Sequence, residues 1–195
     1  MLTLRHARGV SLIELIVGLC ITAILFAIAL PNFSIWLQGS RIRTAAEAIQ
    51  NGLQLTRGEA VRRNTYVHFY LVDGLTGSCN VLVSGTSWIV GLDDPTGACN
   101  TAPSEVGAVR IFQARSGLEG SLNVLVNADQ ASITFNGVGR VTPVPGADIN
   151  INITANQGGC IATGGTIRCL RVVVSSGGQI RLCDPARPAT DPQGC

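Results

Sequence analysis

The sequence has no lysine. All 14 of its cationic side chains are arginines, set against 12 carboxylates for a formal net charge of +2. A lysine nucleophile, a lysine Schiff base and a phosphate-loop lysine are therefore excluded. So is a chain that coats nucleic acid through bulk charge, because so even a balance creates no strong field. Histidine is nearly absent: the two present, His6 and His68, leave almost no material for a histidine metal site or a Ser-His-Asp triad. Charged residues are 13% against 46% apolar, so the 195-residue chain is not a disordered solubilising one. Its length suits one domain plus an appendage. No GxSxG, HExxH or P-loop pattern occurs. His68 lies in an alternating run, where a hydrogen-bonded structural imidazole is the simpler reading. We expect no active site, no metal and no cofactor.

What is present is concentrated at the N-terminus. Residues 1–9 (MLTLRHARG) hold Arg5, His6 and Arg8 without an acid, and the chain then turns apolar from Val10 to Leu30. As a helix that run would span about 32 Å, enough for a bilayer core. The cationic flank should stay cytoplasmic and place the C-terminal bulk on the far side. A secretory signal peptide would want a shorter apolar core and a small-residue cleavage site. Here Pro31-Asn32 follows instead and the pattern leads into another helix, so an anchor is expected. Glu14 interrupts the run, at a cost of roughly 2–3 kcal/mol for an ionised carboxylate in lipid. Either it snorkels to the head groups or it awaits a positive partner. Cleavage between Gly9 and Val10 would create a free amine one helical turn away, and a neighbouring subunit's amine would serve equally well.

The stretch Arg8-Gly9-Val10-Ser11-Leu12-Ile13-Glu14-Leu15 resembles the class III signal of type IV prepilins and type II secretion pseudopilins. The resemblance implies that a prepilin peptidase cuts after Gly9 and that the new amino terminus is N-methylated, with Val10 standing where that family usually has Phe. It also implies that Glu14 acts in assembly and that Pro31 is the family's helix-kinking proline. The partners implied are other pilin or minor pilin subunits, the prepilin peptidase and an inner-membrane assembly platform. The location implied is the inner membrane, as a single-pass protein with a periplasmic C-terminal head that enters a pilus or pseudopilus.

After Pro31 a second helical stretch is expected to about Arg63. Ile42, Ala46, Ile49, Leu53, Thr56 and Ala60 recur at spacings of four and three, one face of an amphipathic helix. Arg43/Glu47 and Glu59/Arg63 are i,i+4 pairs on the solvated side. So small a seam suits a helix lying on a sheet better than a coiled coil. Residues 53–64 (LQLTRGEAVRRN) and 133–141 (ITFNGVGRV) further resemble the GspH/FimT-type pseudopilins, a FimT/FimU-like subgroup of minor pilins. From Thr65 the texture is short β-rich runs between Gly, Asn, Asp and Pro: 65–72, 80–84, 87–91, 108–113, 122–127, 131–136, 149–154, 167–174 and 179–183. The expected organisation is a cleaved leader (1–9), a transmembrane half-helix (10–30), an amphipathic half-helix (31–63) and a periplasmic β-rich head (64–195). The fold class is α+β, type IV pilin-like: a long N-terminal helix packed on an antiparallel β-sheet head with disulfides.

Cys20 falls in the apolar run and reads as a packing residue. The other six cysteines lie in the head, where disulfides persist on the oxidising side of a membrane. A two-residue hairpin at Gly164-Gly165 would pair Thr163 with Thr166 and, three steps outward, Cys160 with Cys169 at a Cα separation of about 4.5 Å. Cys79–Cys99 and Cys183–Cys195 then follow by exclusion and proximity. Arg168, Arg171, Arg181 and Arg187 stand against two Asp from Cys160 onward. In DNA-uptake members of the resembled subgroup a Gly-Arg-x-Arg stretch is associated with DNA binding. Here Gly178-Gln179-Ile180-Arg181 carries one of the two arginines, and DNA is a possible partner but not the favoured one. The leading reading is a structural subunit, a minor pilin or pseudopilin acting in priming or tip assembly. The alternatives are a DNA-binding minor pilin for natural transformation and a minor pseudopilin of a type II secretion system.

Overall fold

The computed structural model describes residues 11–117 and 123–195, and of residues 28–32 the backbone alone. The leader and the Gly9–Val10 bond lie outside the described residues, as does the side chain of Pro31. Two units divide the chain, one ending at Leu37 and the other running from Gln38 to Cys195.

Helix α1, Leu12–Arg63, supplies the first unit. Ser11 stands at its N-cap, where its Oγ accepts the Glu14 backbone N–H at 3.3 Å. Ser11 and Glu14 thus occupy the two positions of a capping box. Every described large apolar side chain from Leu12 to Phe26 is half exposed or more. Among the described residues no helix is long and apolar enough to cross a membrane. The expected span of 10–30 extends beyond them, since Val10 and the side chains of residues 28–30 lie outside the described ones.

The second unit combines the rest of α1 with eight described strands: β1 Val67–Val72, β2 Ser87–Gly91, β3 Ile111–Arg115, β4 Val124–Ala128, β5 Ser132–Phe135, β6 Ile149–Ala155, β7 Leu170–Val174 and β8 Ile180–Cys183. They form two four-stranded antiparallel sheets in the orders β3-β2-β1-β5 and β4-β6-β7-β8. The six helix positions picked out by periodicity are all buried, between 0 and 2% exposed. All but the polar Thr56 share one core with Val67, Phe69 and Leu71 of the first sheet and with Ile149, Ile151, Ile153, Val172 and Val174 of the second. Strand β6 alternates cleanly across the sheet: Ile149, Ile151 and Ile153 point in, while Asn150, Asn152 and Thr154 point out. The first sheet is covered on both faces. Tyr70, Val72, Ile89 and Ile111 form a second small core with the Cys79–Cys99 bridge, which is why β2 is buried at every residue.

Gly52 explains the closeness of helix and sheet. A Cβ there would meet Phe69 Cε2 at 2.8 Å and the Trp88 indole at 3.2 Å, and those two rings lie 5.7 Å apart, tilted against each other. Thr56 is buried one turn on and satisfies its hydroxyl by donating to the Gly52 carbonyl at 2.7 Å.

Two expectations are corrected. Residues 80–84 are not a strand but a single bridge, Val81 to Val72. Strand β1 already has β2 on one side and β5 on the other, so this segment reaches only the far end of β1, through Leu82 N–H to the Leu71 carbonyl, and accepts the Ala128 N–H of β4 at the Val83 carbonyl. The hairpin at Gly164-Gly165 is also absent. A short 3-10 turn, Ile161–Thr163, takes its place, and Gly164 is left-handed at φ 85°. Gly158 and Gly159 have positive φ and accept the N–H groups of Thr166 and Ile167, so the chain curls onto itself. The Cys160–Cys169 disulfide closes across this curl with Cα atoms 5.4 Å apart.

Gly52→Ala should destabilise the protein by about 1–3 kcal/mol by overpacking against Phe69 and Trp88, despite the better helix propensity of Ala. Gly58→Ala, which meets open space, should instead be neutral or stabilising by up to about 1 kcal/mol. Thermal unfolding of the two variants beside the parent checks both signs.

Candidate functional site

The charged residues of the C-terminal region fall into two groups. Asp184, only 4% exposed, is held by Arg168 at 2.9 Å and approached by Arg187 at 3.8 Å. Arg187 also donates to Asp191 at 2.8 Å, which holds the Asp191 carboxyl below its usual range after the backbone N–H of Gln193 has done so more strongly. Asp184 N–H donates to the Gln193 carbonyl, and Cys183–Cys195 closes the tail. Arg168 and Arg187 are thus neutralised within a C-terminal lasso. Arg171 donates through Nε to Asn152 Oδ1 at 2.7 Å, a neutral partner. Arg181 is exposed on β8. Of the four candidate arginines, Arg171 and Arg181 therefore have no carboxylate partner among the described residues.

His68 lies on the outer face of the first sheet, hydrogen-bonded through Nδ1 to the Thr134 hydroxyl at 2.8 Å and stacked on Tyr70. Burial pushes its imidazole below the ordinary value, and the carboxylates of Asp93 and Asp94 pull the other way without prevailing. The Tyr70 phenol is pushed up to about 12, chiefly by burial. Asp93 is gripped by Arg110 through both guanidinium branches, at 2.7 and 2.8 Å, and through its backbone N–H, which lowers its carboxyl to about 2. Held between the Thr134 hydroxyl and the Tyr70 ring, the imidazole has the arrangement of a packed structural ring.

A shallow groove runs between α1 and β3, with Leu55, Arg63, Glu105 and Phe112 in its walls. The Arg63 guanidinium lies 4.1 Å over the Phe112 ring and pairs with both Glu59 and Glu105. Every charge in it is matched. Among the described residues no group of His, Cys, Asp or Glu could hold a metal ion.

Two features of α1 were not read from the sequence. One is the Ser11 cap, which the Ser-x-x-Glu spacing of Ser11 and Glu14 advertises. The other is the exposed aromatic pair Phe33 and Trp36, 5.8 Å apart and 59 and 66% exposed, directly after the apolar run.

A long N-terminal helix laid on antiparallel sheets with disulfides defines the type IV pilin-like fold. Over residues 45–178 the chain matches the family described as Type II transport protein GspH, and it belongs to that family. Among solved structures it is similar to the type IV minor pilin FimU of Pseudomonas aeruginosa in two crystal forms. In one the TM-score is 0.50 at 18% identity, covering 79% of this chain and 94% of that one. In the other the TM-score is again 0.50 at 18% identity, with 78% and 98% covered. The solution structure of Escherichia coli GspH gives a TM-score of 0.44 at 12% identity, over 78% of this chain and 94% of that one. No curated protein matches the chain.

The titrations carry a sign. His68 is held neutral in the fold, so its stabilising contribution is complete above its ordinary value of 6.5 and declines as pH falls through it. Asp93 contributes above its ordinary 3.8, and that contribution is lost as pH falls toward about 2. Denaturant unfolding at pH 7.5 and 5.5 should show a loss at the lower pH that His68→Gln removes. Arg110→Gln should leave that step intact and flatten the one below pH 4.

Proposed function

We propose that the chain is a minor pilin or minor pseudopilin, a structural subunit that enters a filament through the N-terminal part of α1. One observation carries the reading. A single helix buries its Ile42–Ala60 face in the head yet exposes every described large apolar side chain from Leu12 to Phe26. Exposed apolar surface on that scale demands a partner. A lipid bilayer before assembly and neighbouring helices after it would both satisfy the demand. Phe33 and Trp36 suit the membrane–water interface, where aromatic side chains collect. Membership in the GspH family and the fold-level likeness to FimU support the same reading.

In this account a prepilin peptidase cuts between Gly9 and Val10, Val10 becomes the N-methylated terminus, and an inner-membrane platform adds the subunit to a pilus or pseudopilus. Glu14 meets the amine of a neighbouring mature chain, Pro31 shapes the helix, and the role is priming or tip assembly. The DNA-receptor reading rests on Arg171 and Arg181 alone, because Arg168 and Arg187 are neutralised by Asp184 and Asp191. Two phosphate contacts give little affinity at physiological salt. The structural-subunit reading is the stronger.

Intact-mass measurement from the native membrane should show loss of residues 1–9, and Gly9→Val should abolish that loss. Recovery of full-length chain alone would defeat the reading. Glu14→Leu should leave membrane insertion intact or improved, since Leu suits lipid better, while incorporation into filaments falls. Equal incorporation of mutant and parent would mean that Glu14 only snorkels.

A further inference from the structure

Buried Thr56, Ser87 and Asp184 each have a partner. The Thr56 hydroxyl donates to the Gly52 carbonyl, the Ser87 hydroxyl accepts the Gly117 backbone N–H at 3.0 Å, and Asp184 meets Arg168. Trp88 breaks the pattern. It lies on β2 only 3% exposed, and among the described residues its indole Nε1 is the one buried side-chain nitrogen or oxygen without a hydrogen-bond partner. An N–H left in that condition bears its full desolvation cost, which folded proteins rarely accept. Nor can the ring swing out to bulk water. A Cβ on Gly52 would lie 3.2 Å from both Cδ2 and Cε2 of the indole, and the Phe69 ring packs beside it at 5.7 Å. Nε1 is bonded to Cε2, so the donor is held close against α1.

Trp88 also forms one wall of a small cavity. Helix α1 contributes Thr44, Ala45 and Ala48, and Thr86 and Arg115 close it from the sheet side. Ala48 stands one helical turn before Gly52, on the same face of α1. Arg115 is opposite Trp88 in the β2–β3 register, so the two side chains share the face of the sheet that α1 covers. The space open to the centre of a water molecule is about 10 Å³, room for a single water. The walls supply what such a molecule needs. Thr44 already commits its proton to the Ser40 carbonyl at 3.1 Å and so offers lone pairs, while the Thr86 hydroxyl can give or accept.

We propose that this cavity binds one water molecule, which accepts the Trp88 indole N–H and donates to the hydroxyls of Thr44 and Thr86. Three partners are what a buried water ordinarily has. The water ties α1 to β2 beside Gly52, where helix and sheet come close. It lies wholly within the second unit and stands whether or not the chain enters a filament.

The test is nuclear magnetic resonance of the full-length, nitrogen-15-labelled chain in detergent. Trp36 and Trp88 give the indole signals, and that of Trp88 is the one lost in Trp88→Phe. Its proton should sit downfield, where hydrogen-bonded indoles resonate, and show a cross-peak to the water resonance. The cross-peak should have opposite signs in laboratory-frame and rotating-frame experiments, which marks a long-lived bound water rather than proton exchange. Ala48→Val fills the cavity, and should abolish the cross-peak and move the indole proton upfield. Ala48→Ser supplies a hydroxyl in the same place and should keep the proton downfield. An unbonded indole in the parent, or a parent signal without the water cross-peak, would overturn the proposal. So would survival of both features in Ala48→Val, which would make a protein group the partner. A shift of the parent's indole proton when chloride is replaced by sulfate would also overturn it, by assigning the site to an anion beside Arg115. If Ala48→Val does not fold, the parent and Ala48→Ser spectra decide alone.

Discussion

The face of α1 from Ile42 to Ala60 must be buried against two sheets at once, and the small residues along it make that possible. Ala45, Ala46, Gly52, Thr56 and Ala60 leave room for Phe69 and Trp88 on one side and for the isoleucines of β6 on the other. A bulkier seam would hold the sheets apart and open the shared core. The same helix end receives two glycine turns. Arg57 Nε donates to the Gly139 carbonyl at 3.1 Å, and a Cβ on Gly178 would lie 1.9 Å from that same oxygen. Those turns, one from each sheet, meet where only glycine fits at positive φ.

Periodicity made much of this legible. The buried helix face followed from spacings of three and four, and the Arg43–Glu47 and Glu59–Arg63 pairs followed from i,i+4 geometry, at 3.2 and 2.8 Å. Strand β2 falls on 87–91 because its ends are marked by turn residues and its run is continuously apolar. What could not be read depended on contacts distant in sequence. Residues 80–84 have strand composition, but β5 already occupies most of that edge of β1 and leaves only its end to bridge. The chain at Gly164-Gly165 does not form a hairpin because Gly158 and Gly159, further back, accept the N–H groups of Thr166 and Ile167 first.

The charged residues teach the same lesson. A count from Cys160 onward suggests a cationic tail, yet burial of Asp184 inside the C-terminal lasso neutralises Arg168 and draws in Arg187. Net charge by segment does not identify which charges remain available; pairing does. The N-terminal motif, by contrast, needs no tertiary context. Its Gly, Glu and apolar run are contiguous, and the capping spacing of Ser11 and Glu14 lies in the same few residues.

Head and N-terminal helix therefore answer different demands. The head satisfies its own apolar surface and locks its loops with three disulfides, while the first part of α1 leaves its apolar surface to be covered by something else. Quantitative mass spectrometry of filaments sheared or affinity-purified from the native host tests that division most directly. The account predicts that head peptides of this chain co-purify with the filaments, at far below one copy per major subunit. Their confinement to the soluble periplasmic fraction, with none in the filaments, would contradict it.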